Sequence, residues 1–138
     1  MVGGAAQLVD YRALAEFRFQ IRKFLCFSEA AARKAGLEPQ QHQFLLAIKG
    51  MPEELEPTVG ELARRLQTRH HSVVELADRL EARGLVVRVR SERDRRLVGI
   101  GLTAEGERIL DALSAQHQAE LATAGPALLD ALQTLLGR

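Results

Sequence analysis

TVGELARRLQTRHHSVVELADRLEARGLVVRVRSERDRRLVGIGLTAEG (58–106) is the stretch whose periodicity decides the fold. Thr58-Val-Gly-Glu61 has the form of a capping box: the Thr58 hydroxyl accepts from the Glu61 amide, and the Glu61 carboxylate reaches back. Val59, Leu62, Ala63 and Leu66 follow as one apolar stripe of a short helix. Gln67-Thr68 reads as a tight turn, with Thr68 as N-cap of a second helix from Arg69 to Arg83. Val73, Leu76, Ala77 and Leu80 face inward on that helix, and Gly84 ends it. Beyond Gly84 the period falls to two. Val86 to Arg90 alternates, and so does Leu97 to Leu102, with Val98, Ile100 and Leu102 on one side. The polar link Ser91-Glu-Arg-Asp94 makes the pair a β-hairpin.

Outward from this centre the chain is helical. Tyr11, Leu14, Phe17, Ile21 and Leu25 recur at three- and four-residue steps, predicting a long amphipathic helix over 8–35, stopped by Gly36. Pro39 suits the first turn of a helix to Lys49, with Phe44, Leu45 and Ile48 inward. GMPEELEP (50–57) has two prolines and no period, so it is a loop. Thr103 caps a long helix to about Thr123, Gly125-Pro126 breaks it, and Ala127–Leu136 forms a last helix. From Ile109 to Leu136, 16 of 28 residues are apolar, more than terminal helices can bury against so small a middle. A second copy of the chain would cover them.

Composition narrows the function classes. The chain has 138 residues, 46% hydrophobic and 27% charged, with net charge +1. These values suit one soluble globular domain and exclude a disordered chain. No apolar run is long enough for a membrane span. The opening MVGGAAQLVDYRALAEF has no basic stretch before an apolar core, so no signal peptide is expected. A single cysteine allows no internal disulfide and fits a reducing cytoplasm. The charge is uneven, however. Residues 58–96 hold ten arginines, no lysine and six acids, leaving that segment at +4 and the remainder at −3. A basic middle of arginines favours a polyanion, because the guanidinium fork bonds phosphate or base edges in a bidentate way.

The order short helix, turn, second helix, hairpin is that of a winged helix-turn-helix. Its second helix fits the major groove of duplex DNA, with N-terminal residues at base edges. The hairpin tip, here carrying Arg93, Arg95 and Arg96, then lies near the backbone or the adjacent minor groove.

The residues TVGELARRL (58–66), SVVELADRLEARGLVVR (72–88) and DRRLVGIGLTAEG (94–106) resemble the MarR family of bacterial transcription regulators. The resemblance takes in the opening helix, GLEPQQHQFLLAI (36–48), the winged helix and two closing helices. It implies a mostly α homodimer with dimerisation helices at 8–35 and 104–138 and a DNA-binding core at 37–103. It further implies a cytoplasmic, nucleoid-associated repressor of a pseudo-palindromic operator, released by a small aromatic or anionic ligand held between the dimer base and the reading heads. Carried over by residue, Arg69, His70, His71 and Ser72 would meet bases and phosphates beside the turn residue Thr68. Arg96 would be the wing arginine, held by Asp94. One departure stands out: family members often have Ser or Thr and Arg where this chain has Val74 and Glu75. Glu75 would accept from a cytosine amino group, or pair with Arg69 or His71 and position them.

Other residues carry less. His70 and His71 are adjacent and point about 100° apart on a helix, so they do not chelate as an i, i+4 pair would. His42 and His117 have no companion ligands at metal spacing. Cys26, in LCF (25–27), resembles the peroxide-sensing branch of the family, but Ala30 stands where that branch has a tyrosine, so a packed, unreactive thiol is expected. There is no phosphate loop, no H-E-x-x-H and no nucleophile elbow, so neither enzyme nor cofactor is expected. The rival reading is a winged helix used for protein contact.

Overall fold

The computed structural model describes residues 8–138. The signal-peptide reading draws on residues 1–7, which lie outside the described residues. The element order is α1 (Tyr11–Lys34), α2 (Pro39–Lys49), α3 (Val59–Leu66), α4 (His70–Ala82), β1 (Val86–Arg90), β2 (Val98–Leu102) and α5 (Ala104–Leu136). Two compact units form: residues 29–115, and residues 8–28 with 116–138.

The 29–115 unit holds the core. Phe44 and Leu45 of α2, Leu62 of α3, Val73, Ala77 and Leu80 of α4, Ile100 of β2, and Leu110 and Leu113 of α5 are fully or almost fully buried. Each such large side chain contributes about 1.5–3 kcal/mol on leaving water. α2 begins at Pro39, as the fixed φ of proline favours, and the Glu38 amide donates to Gln41 Oε1 at 3.0 Å. Gly36 and Gly84 adopt φ of +86° and +74° and end α1 and α4. β1 and β2 pair antiparallel, with Val86 opposite Leu102 and Arg90 opposite Val98.

Three local expectations need correction. The capping box at Thr58 is half formed: Thr58 Oγ1 accepts from the Glu61 amide at 3.3 Å, but the Glu61 carboxylate pairs with Arg64 instead. The Thr58 amide is already satisfied by the Glu56 carbonyl. The N-cap of α4 is Arg69, without a side-chain cap, and not Thr68. Gln67 takes the left-handed conformation and closes the turn one residue earlier. Most clearly, Gly125-Pro126 does not break the last helix, and α5 runs unbroken to Leu136. Pro126 removes one backbone bond and crowds one turn, while the flanking Ala and Leu are strong helix formers.

In the unit of residues 8–28 and 116–138, His117 Nε2 lies 2.7 Å from Ser28 Oγ and packs edge-on against Phe24 and Phe27. The expected α1 stripe is not buried within the chain, since Tyr11, Leu14 and Leu25 are exposed, as are Leu121, Leu129, Leu132 and Leu136. Cys26 is also exposed, which corrects the expectation of a packed thiol. Among the described residues no helix is long and apolar enough to cross a membrane, and no group of three or more His, Cys, Asp or Glu could hold a metal ion.

Candidate nucleic-acid interface

The site lies in the 29–115 unit, on α4 and the hairpin. At the start of α4, Thr68, Arg69, His70 and His71 are exposed and Ser72 is half-buried. Val73 and Ala77, one and two turns in, anchor the opposite face in the core, so the leading turn is held with its polar side outward. Glu75 is exposed and makes no ion pair with Arg69 or His71 among the described residues.

The hairpin is joined to the helix pair at several points. Arg88 of β1 reaches two carboxylates of α4, with Nη2 at 2.6 Å from Asp78 Oδ1 and Nη1 against Glu81. Its own amide also donates to Glu81 at 3.3 Å. The Asp78 hydrogen bond leads the effects that raise the Arg88 pKa further above its ordinary value. Arg88 was read from sequence only as one more positive charge. Its alternation with Val86 on the inward side of β1 was the signal that it faces α4.

At the wing tip Asp94 and Arg96 form the expected pair. Arg96 Nε and Nη2 donate to Asp94 at 3.0 and 2.9 Å, and the Arg96 amide donates to the same carboxylate at 3.1 Å. These bonds hold the Asp94 carboxyl below its ordinary range. The Arg96 side chain is nevertheless 90% exposed, so the pair orients the guanidinium without hiding it. Arg95 is exposed and its carbonyl accepts from Arg90 at 2.6 Å. Arg93 departs from the expected arrangement. It turns to the 50–57 loop, where it donates to the Glu54 and Glu53 carbonyls and stands 3.7 Å from Glu56.

The ten arginines of 58–96 therefore divide. Arg64, Arg88, Arg93 and Arg96 have carboxylate partners. Arg65, Arg69, Arg79, Arg83, Arg90 and Arg95 have none among the described residues. A surface with that many unneutralised guanidinium groups suits a polyanion.

The base of β2 explains the L-T-x-x-G pattern (102–106). Thr103 donates its hydroxyl to the Gly84 carbonyl at 2.7 Å, and the same oxygen accepts from the Gly106 amide at 3.0 Å. Gly106 lies so close to Leu85 that a Cβ there would stand 2.1 Å from the Leu85 carbonyl oxygen. A cleft of about 490 Å³ opens elsewhere in this unit, lined by Arg33, Gly36, Leu37, Glu38, Gln41 and Arg83. It is formed by Arg33 of α1, the α1–α2 link, Gln41 of α2 and Arg83 just beyond α4.

Residues 35–97 match the MarR family profile. The transcriptional repressor MdtR of Bacillus subtilis is 32% identical over 74 residues, 54% of this chain and 46% of that protein. The chain thus spans under half the length of the curated relatives it matches. Among solved structures, FabT of Streptococcus pneumoniae in complex with DNA superposes with TM-score 0.69 at 25% identity, covering 93% of this chain and 99% of that one. CouR of Rhodococcus jostii RHA1, bound to p-coumaroyl-CoA, superposes with TM-score 0.64 at 27% identity, covering 82% and 83%. With the hairpin, the Asp94–Arg96 pair and the Gly106 contact in place, the chain is similar, over residues 35–97, to the MarR family of transcriptional regulators.

Proposed function

We propose that this protein is a homodimeric regulator that binds a pseudo-palindromic operator through α4 and the wing, represses transcription, and is released by a small anionic or aromatic ligand. The observation that carries the DNA reading is the joint exposure of two sets of groups on one unit: Arg69, His70 and His71 at the start of α4, and Arg95 and Arg96 on the wing. A helix start with free donors meets base edges in a major groove, and an oriented arginine beyond it meets phosphate or the narrow groove. The DNA-bound state of FabT supports this use of the fold. Thr68 and Ser72 flank the reading turn, and Glu75 sets base preference one turn in.

The dimer reading rests on the uncovered apolar residues of 8–28 and 116–138, with Leu14, Leu25, Leu121, Leu129, Leu132 and Leu136 all exposed. Two copies would place two α4 helices on half-sites about one helical turn apart. The ligand reading rests on the likeness to the MarR family and on the p-coumaroyl-CoA bound by CouR. The Arg33–Arg83 cleft is a place where a carboxylate would find guanidinium groups.

The test is recovery of sheared genomic DNA by the purified protein at about 150 mM salt, followed by titration of a recovered duplex across the range of about 50 to 200 mM. A few enriched fragments sharing an inverted repeat, with affinity falling about 10³–10⁵-fold over that range, support the reading. Uniform or absent recovery, with no salt slope, refutes it in favour of a protein-contact module.

A further inference from the structure

The wing tip is fastened at a place the DNA reading does not use. Ser91 is 3% exposed, and its hydroxyl serves three bonds: it donates to Glu56 Oε1 at 2.7 Å and accepts the amides of Arg93 at 3.2 Å and Asp94 at 3.0 Å. Arg93 closes the same corner on the 50–57 loop through the Glu54 and Glu53 carbonyls and the Glu56 carboxylate. Midway along β2 the chain leaving this loop pairs with the hairpin, where the Ile100 amide donates to the Pro57 carbonyl at 2.9 Å and Thr58 bridges Gly99. The hairpin is thus held at two separated points along its length.

We infer that Glu56, Ser91 and Arg93 form a clamp that positions the wing for DNA, and that Arg93 is a positioning residue and not a phosphate contact; this rests on the DNA-binding reading above. The connection to the reading surface is continuous. Glu56 holds Ser91, Ser91 holds the Asp94 amide, and the Asp94 carboxylate holds the Arg96 guanidinium. A guanidinium committed to two carbonyls and a carboxylate would have to break those bonds before it met phosphate. Glu53, Glu54 and Glu56 around it also make that corner a poor place for another anion.

Charge and position predict opposite signs for one variant, which makes the inference testable. Glu56→Ala removes a negative charge near the wing, so electrostatics alone would strengthen DNA binding. The clamp predicts weakening by about three- to tenfold, the scale of one ordinary hydrogen bond. Ser91→Ala and Arg93→Ala should weaken binding on the same scale, with the slope of log affinity against log salt unchanged. Arg96→Ala should instead lower that slope by about 0.9, one phosphate contact. Amide exchange at 92–97 should quicken in the three clamp variants and not in Arg96→Ala. Arg93→Lys should fail to restore either readout, because one ammonium cannot span the two carbonyls and the carboxylate.

Tighter binding by Glu56→Ala overturns the clamp. So does a slope drop of about 0.9 in Arg93→Ala with exchange at 92–97 unaltered, which would mark Arg93 as a direct phosphate contact. Salt-independent or absent binding by the parent protein overturns the DNA reading, and the clamp's functional role with it. The exchange measurement needs no DNA and still reads the clamp's geometry.

Discussion

Gly106→Ala and Gly125→Ala make the same chemical change in the same helix and should move stability in opposite directions. At Gly106 the new methyl carbon would stand 2.1 Å from the Leu85 carbonyl oxygen and 3.1 Å from the carbonyl carbon. Ordinary contact is roughly 3.5 Å, so the backbones must part by more than about 1 Å. Leu85 cannot yield easily. Its side chain is 2% exposed in the core, and its carbonyl also accepts the Thr103 amide at 3.0 Å. Separation therefore loses about 1 kcal/mol for that bond and about 1–3 kcal/mol in repacking. Alanine's better helix propensity returns up to about 1 kcal/mol. The net is a loss of roughly 1–3 kcal/mol, or some 3–10 °C in Tm for a chain of this size. At Gly125 an added Cβ meets nothing within 4 Å, so only the propensity gain of about 0.5–1 kcal/mol remains. Urea denaturation followed by circular dichroism, at one fixed protein concentration, measures both. A Gly106→Ala variant as stable as the parent would refute the close approach and the account of the L-T-x-x-G pattern built on it.

Three further outcomes are expected. Arg96→Ala should weaken binding to matched and scrambled duplexes about equally, whereas His71→Ala should change preference among operators; equal losses for His71→Ala on every sequence would remove it from base reading. Because the Arg96 guanidinium holds Asp94 below its ordinary value of 3.8, this carboxylate stays charged in the folded wing where it would protonate in the unfolded chain. Its contribution is therefore full above that ordinary value and is lost as pH falls through the lower folded one. A carboxyl NMR titration should show a depressed Asp94 midpoint that rises toward the ordinary value in Arg96→Ala, the backbone amide bond at residue 96 remaining. Finally, Leu132→Glu on the exposed face of α5 should shift sedimentation toward monomer at micromolar protein, and an unchanged dimer would place the interface elsewhere.

Much of the fold was legible because the deciding patterns are local. The change of period after Gly84 located the hairpin, and Pro39 and Lys49 bounded α2 as observed. The break expected at Gly125-Pro126 failed for a reason local rules do not weigh. One missing amide is a fixed cost, while the helix on both sides is built from Ala and Leu. Helix starts were less legible still. Thr58 met half of its capping box, because the Glu61 carboxylate had a nearer cation in Arg64. The wing Asp94–Arg96 pair was legible through the resemblance carried by D-x-R, and its partners lie two residues apart. Arg93 could not be read, because its partners lie in a loop some 37–40 residues earlier in the chain, brought alongside by the pairing of Pro57 and Thr58 with β2.

The net charge of the reading segment acquires a location once pairs are separated from singles. The four arginines with carboxylate partners, Arg64, Arg88, Arg93 and Arg96, shape the unit: two of them tie the hairpin to α4 and to the 50–57 loop. What remains is six arginines against Glu75 and Glu92, and that remainder carries the whole +4 of 58–96. Glu75 is then the first carboxylate along α4, one turn beyond His71 and unpaired with it. Near a phosphate it repels; near an exocyclic amino group it accepts. A regulator that keeps such a group on its reading helix gives up non-specific affinity and gains discrimination against sequences lacking a donor at that step. Glu75→Gln should therefore tighten binding to random duplex while narrowing the gap between operator and random sequence, and a variant that tightens both equally would show Glu75 facing no base.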